Sequence, residues 1–183
     1  MNTMDLSTFN NDWYNPGKNV LVRTLWYFTN LIFLLNPWCP GSRIKVFVLK
    51  TFGAKIGKGV VIKPSVNIKY PWRLKIGNYV WIGEKVWIDN LANVSIGNNV
   101  SISQGAMLLC GNHDYKKKSF DLIIGDISIE DGVWIGAKST VTAGVTCKSH
   151  AILSVNSVAS KDLNAYTIYR GNPAVETGKR TIE

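Results

Sequence analysis

The chain has 183 residues, 46% of them apolar, which is enough for one domain with a continuous core. A net charge of +9 favours anionic partners, but the basic residues are dispersed and no nucleic-acid-binding module can be traced, so nucleic acid is set aside as a partner. Three cysteines (Cys39, Cys110 and Cys147), odd in number and without local pairing, suit reduced thiols in the cytoplasm rather than an oxidising compartment.

Residues 1–18 are polar and turn-rich, unlike a signal peptide. Residues 20–35 (VLVRTLWYFTNLIFLL) form the one strongly apolar run, closed by Asn36 and Pro37, since proline stops a helix. Arg23, Thr24, Thr29 and Asn30 interrupt the run, which is short for a membrane span of about 20 residues. Two readings stay open. The run is a helix capping the end of the fold that follows, or a monotopic anchor on the inner-membrane surface with Lys18, Arg23, Arg43 and Lys45 facing phosphates.

From Ile56 to Leu163 an aliphatic residue or a near substitute recurs every sixth position. The series is Ile56, Ile62, Ile68; Ile76, Ile82, Ile88; Ile96, Ile102, Leu108; Ile129, Ile135, Val141; and Cys147, Leu153, Ala159. Four residues after most of these stands a smaller companion, such as Val60, Val80, Ala106, Ser139 or Ser157. Side chains alternate faces along a strand, so both positions point inward and the residue between them points out. Each hexad is a short strand plus a corner, three hexads make one triangular coil, and the pattern predicts an all-β solenoid of about five coils.

Breaks in phase are informative too. The first coils are spaced by twenty residues, the extra pairs being Leu74-Lys75 and Val94-Ser95. The same corner then releases a long loop, residues 112–128, after which the spacing is eighteen. Insertions on one edge mark the functional face of a solenoid. The expected organisation is a helical cap or membrane-associating segment (1–55), the solenoid (56–165) and a C-terminal tail (166–183).

Of the two histidines, His150 falls in a hexad turn and reads as a solvated corner residue. His113 opens the long loop, where an imidazole is able to accept and return a proton at neutral pH. The hexads, the GNHDY segment at 111–115, the closing GNPA at 171–174, RTLW at 23–26, FGAKIG at 52–57 and YPW at 70–72 together resemble the hexapeptide-repeat acyltransferases. The similarity is closest to the colanic-acid-type O-acetyltransferases of bacterial polysaccharide synthesis.

That resemblance implies a left-handed parallel β-helix, a homotrimer with active sites between subunits, acetyl-CoA as co-substrate and a sugar or glycan acceptor. His113 matches the family's general base. Trp134, Ala137, Ser160 and Lys161 match positions that touch coenzyme A, and Val175 stands where the family often has an arginine. Gly83 replaces a sugar-contacting asparagine, which turns attention to Asp89 and Asn90 for the acceptor, and Asp114 is a further candidate beside His113. Outward Trp81 and Trp87 share the hexad phase of Trp134. No metal is expected, because a zinc site of the γ-carbonic-anhydrase kind needs three histidines. A sugar-nucleotide N-acyltransferase and a non-catalytic scaffold remain alternatives at this point.

Overall fold

The computed structural model describes residues 3–183, so the first two residues of the 1–55 segment lie outside it. Helix α1 (Val20–Thr29) begins at Asn19, whose side chain accepts from the Val22 amide at 3.0 Å. It runs on through a π-helical turn, Asn30–Leu34, and is followed by α2 (Ser42–Thr51).

The rest of the chain winds into a left-handed β-helix with three parallel sheets. The first sheet stacks Lys55–Ile56, Leu74–Ile76, Val94–Ile96, Ile127–Ile129 and Thr146–Cys147. The second stacks Val61–Ile62, Trp81–Ile82, Ser101–Ile102, Trp134–Ile135, Ile152–Leu153 and Thr167–Gly171. The third stacks Asn67–Ile68, Trp87–Asp89, Met107–Leu109, Thr140–Thr142 and Val158–Ala159. Strand partners are the residues of matching phase: Ile56 lies on Ile76, Ile76 on Ile96, Ile96 on Ile129 and Ile129 on Cys147. All fifteen residues of the sixth-position series are buried, as are the smaller companions named with them. Where a companion is polar its hydroxyl is satisfied: Ser139 donates to the Ser154 carbonyl at 2.6 Å, and Ser157 accepts from the Gly171 amide at 3.0 Å.

Two details go beyond the hexad pattern. The extra residues Leu74 and Val94 lengthen the first sheet, where they pair with each other and, through Val94, with Ile127, all three buried. After the fifth coil the chain begins a partial sixth, with Leu163 bridging to Cys147. In place of a free tail, Thr167–Gly171 then pairs with Ile152–Leu153 and folds back as a hairpin with Ala174–Lys179.

The first coil has no predecessor, so its outer backbone groups need other partners. The helices supply them. Ser42 Oγ accepts from the Ile62 amide at 3.0 Å, Lys45 Nζ donates to the Ile62 carbonyl at 3.3 Å, and the Trp26 indole donates to the Ile68 carbonyl at 2.9 Å. Lys45 is therefore fully buried and faces no phosphate, a correction to the sequence expectation, and burial holds its ammonium below the usual lysine range.

Close coil spacing constrains the corners. A Cβ on Gly77 would stand 2.6 Å from the Gly97 carbonyl oxygen, a backbone atom that cannot swing aside. Beside these glycines the Lys58 amide donates to Asn78, the Asn78 amide to Asn98, and the Asn98 amide to Asp131, so each coil's corner side chain holds the coil before it. Gly77→Ala is expected to destabilise the protein by about 1–3 kcal/mol, measured by chemical denaturation. Burial also pushes the Cys110 and Cys147 thiols up, to about 11 and about 12, whereas Cys39 is half-exposed. Since only thiolates react, a disulfide reagent at pH 8 is expected to modify one thiol quickly in the native protein and all three after unfolding.

Candidate active site

The long excursion is a β-hairpin. Gly111–His113 pairs antiparallel with Leu122–Ile124, with His113 opposite Leu122. Its base is anchored to the solenoid: the Gly125 amide donates to the Cys110 carbonyl, the Cys110 amide to the Asp89 carbonyl, and the Asp126 carboxylate accepts from the Asn93 amide at 2.8 Å.

His113 is half-buried on this hairpin. Its ring lies flat on Phe120 (centroids 4.4 Å apart, planes 4° apart), with Phe9 tilted against it at 5.8 Å. Nδ1 stands 2.8 Å from the Phe120 carbonyl oxygen. A carbonyl oxygen only accepts, so Nδ1 carries the hydrogen, and in the neutral ring Nε2 is left with a free lone pair. That tautomer is the one a proton acceptor needs. Asp114 does not orient the ring; its carboxylate caps the loop turn by accepting from the Lys116 amide at 3.1 Å. Within the lysine run, Lys117 pairs with Asp121 at 2.9 Å and Lys118 with Asp5 at 3.4 Å, so both are tied to acids.

The N-terminal stretch crosses this edge. The Asp5 amide donates to the Lys118 carbonyl, Tyr14 donates to the Leu91 carbonyl at 2.8 Å, and Trp72 donates to the Pro16 carbonyl at 2.7 Å. Burial pushes the Tyr14 phenol up to about 12. Neither Phe9 nor Phe120 carries a sequence signal for contact with His113, because the contact depends on how loop and N-terminus meet.

The two acceptor candidates behave differently. Asp89 is largely buried on the third sheet and forms an ion pair with Lys69 at 2.9 Å. Asn90 is fully buried, with its amide bridging the Tyr70 amide (2.9 Å) and carbonyl (2.6 Å) of the previous coil. In this chain it serves as a clamp between coils and is closed off from solvent, a structural role the sequence expectation of an acceptor contact did not include.

Trp134 stands half out of the second sheet and donates to Ser103 Oγ at 2.9 Å, and the Ala137 carbonyl in the next turn accepts from the Asn156 amide. Ser160 and Lys161 are exposed after the third sheet, two coils beyond the hairpin on its own edge, roughly 10 Å at the usual coil spacing. One chain therefore does not gather all the candidates: His113, Ser160 and Lys161 share one edge of the prism, and Trp134 and Ala137 lie at another. Trp81 shares the second sheet with Trp134, but Trp87 belongs to the third, so hexad phase alone does not make the three one wall. Val175 is exposed, and the nearby Arg180 donates to the Gly132 carbonyl at 2.7 Å. His150 stacks on Tyr166 at a corner, 4.7 Å between centroids, away from the hairpin. No cluster of three or more potential metal-ligating side chains occurs among the described residues.

Triangular hexapeptide coils with one histidine-bearing insertion edge are the build of a hexapeptide-repeat acyltransferase. No family model matches the chain. A protein of Escherichia coli K12, named as the colanic acid biosynthesis acetyltransferase WcaF, is 36% identical over 178 residues, covering 96% of this chain and 97% of that one. The structure of a hexapeptide-repeat-containing acetyltransferase from Vibrio cholerae superposes with a TM-score of 0.80 at 22% identity, covering 88% of this chain and 92% of that one. That protein has also been solved in complex with acetyl coenzyme A. AntD, an N-acyltransferase from Bacillus cereus, superposes with a TM-score of 0.64 at 18% identity, over 75% of this chain and 90% of that one. The chain belongs to the hexapeptide-repeat acetyltransferase family, alongside the colanic-acid-type enzymes, and is an acyltransferase.

The tautomer is directly measurable. Nitrogen NMR of the neutral His113 ring is expected to show a protonated Nδ1 and an unprotonated Nε2; the reverse pattern would remove the Phe120 carbonyl as the orienting group.

Proposed function

We propose that the protein is an acetyl-CoA-dependent O-acetyltransferase acting on a hydroxyl of a sugar or polysaccharide precursor, with His113 as general base. Nε2 takes the hydroxyl proton as the sugar oxygen attacks the thioester carbonyl. A backbone N–H holds the tetrahedral oxyanion, a contribution typically of about 3 kcal/mol. The intermediate collapses with loss of the coenzyme A thiolate, which recovers the proton from the imidazolium and leaves as the thiol. Acceptor and acetyl-CoA suffice for this balance, and no metal takes part in it.

The observation that carries the reading is the bond between His113 Nδ1 and the Phe120 carbonyl, which frees Nε2 on the insertion edge. The division of candidates between two edges supports a homotrimer, in which His113, Ser160 and Lys161 of one subunit meet Trp134 and Ala137 presented by the next across a shared cleft. Asp89, with Lys69 beside it, and Asp114 remain the acceptor-side candidates. We also propose a cytoplasmic working place with peripheral contact to the inner membrane. No helix among the described residues is long and apolar enough to cross one.

The test is thiol release from acetyl-CoA across sugars, amino sugars, nucleotide sugars and oligosaccharides. His113→Ala is expected to lower turnover roughly 10²–10⁴-fold while calorimetric coenzyme A binding stays nearly unchanged. Equal turnover in mutant and wild type would remove His113 from the mechanism, and exclusive use of amino sugars would establish the N-acyltransferase reading instead.

A further inference from the structure

Helix α1 and its π-helical extension are apolar on two opposite faces. Trp26, Asn30 and Leu34, at i, i+4 and i+8, are buried against the first coil and α2. Leu21, Leu25, Phe28 and Ile32, at i, i+4, i+7 and i+11, form a second stripe on the far side, where 76%, 57%, 55% and 57% of each residue is exposed. Trp38, 90% exposed, and Phe47 of α2, 69% exposed, add to the uncovered apolar surface of the same helical segment. A soluble surface rarely leaves so many large side chains uncovered in one region.

Charge says what covers them. Between Asp12 and Glu84 the chain has eleven lysines and arginines and no aspartate or glutamate. Outside that stretch ten basic residues face twelve acidic ones. The whole positive excess therefore belongs to the helices and the first coils, because the basic residues are dispersed along the chain and the acids are not. Lys18, Arg43 and Lys50 are exposed on the helical segment itself. Apolar side chains flanked by lysine and arginine, on helices that contain no acid, match the acyl boundary and phosphate layer of an anionic bilayer.

We infer that the stripe Leu21, Leu25, Phe28 and Ile32, with Trp38 and Phe47, is a monotopic docking face that inserts into the surface of an anionic membrane. The inference deepens the membrane contact proposed above and rests on it. A protein–protein interface of the same area would be expected to meet charges of both signs, whereas the helices that carry this face offer one sign only. Cyclic symmetry, in the proposed trimer, turns the three copies of this face toward the same side, so the insertions act together.

The test is flotation of the full chain with vesicles of phosphatidylglycerol and phosphatidylcholine, beside vesicles of phosphatidylcholine alone. Two variants are compared, Leu25→Asp with Phe28→Asp and the milder Leu21→Gln with Phe28→Gln, each checked by thermal melt and solution mass. Wild type is expected to float with the anionic vesicles and less with the neutral ones. Either folded double variant is expected to lose about 100-fold in partitioning, since two large apolar side chains no longer leave water. Folded variants that float as wild type does would overturn the assignment of this face while leaving membrane contact standing. Wild type that floats with neither vesicle would overturn both. A drop in solution mass in the variants, with no flotation of wild type, would reassign the face to contact between copies. Coenzyme A binding and acetyl transfer to a soluble acceptor are read separately, so none of these outcomes bears on the acyltransfer reading.

Discussion

Every coil of this protein is held by the coil above it, through backbone hydrogen bonds at a spacing that leaves room for little else. The close approach fixes the phase: small or branched residues inside, glycine where main chain meets main chain, as at Gly77 against Gly97. It also creates a debt at the beginning, because the first coil has nothing beneath it. Ser42, Lys45 and Trp26 meet that debt with side chains, and Lys45 is buried to do so. The helical segment is thus part of the solenoid's hydrogen bonding, and the same helices carry an apolar outer surface with no task in the fold.

Regularity along two corners of the prism leaves the third free to carry the insertions. Insertions there begin as short extra turns that lengthen the first sheet through Leu74 and Val94, and the third becomes the hairpin. Because the hairpin base is tied to Asp89, Asn93 and Cys110, His113 is a residue on a braced element rather than on a loose loop. The N-terminal stretch crosses the same edge and brings Phe9 to the imidazole. Fold and site are linked at this edge, since the break in the repeat is also what lifts the histidine out of the wall.

The solenoid was legible because burial repeats: a residue such as Ile82 or Leu153 occupies its place for the same reason as its neighbours six positions away. His113 stood out by its position at the break in that repetition. What escaped the sequence depends on geometry with no residue signature. Asn90 looked like a polar group near the site, yet its amide clamps the Tyr70 backbone, and only the fold reveals which coil it faces. Trp87 shares a hexad phase with Trp81 and Trp134 but sits on another sheet, because phase records direction in or out and not which side of the triangle. Asp114 was the natural partner for a histidine one residue away, and the Phe120 carbonyl took that place.

That last substitution has an evolutionary consequence. In many catalytic pairs the group that orients the base is a carboxylate, and a single codon change removes it. Here the orienting atom is a main-chain oxygen, which any amino acid able to take the left-handed backbone of position 120 would supply. Exchange of a side chain does not delete it; a change in the number of residues between His113 and Phe120 moves it out of reach, as does a residue such as proline that refuses the positive φ at position 120. Under the proposed role of His113, selection on the tautomer acts on the length and backbone shape of the hairpin tip, and the Phe120 ring that stacks on the imidazole adds the one letter the tip has reason to keep.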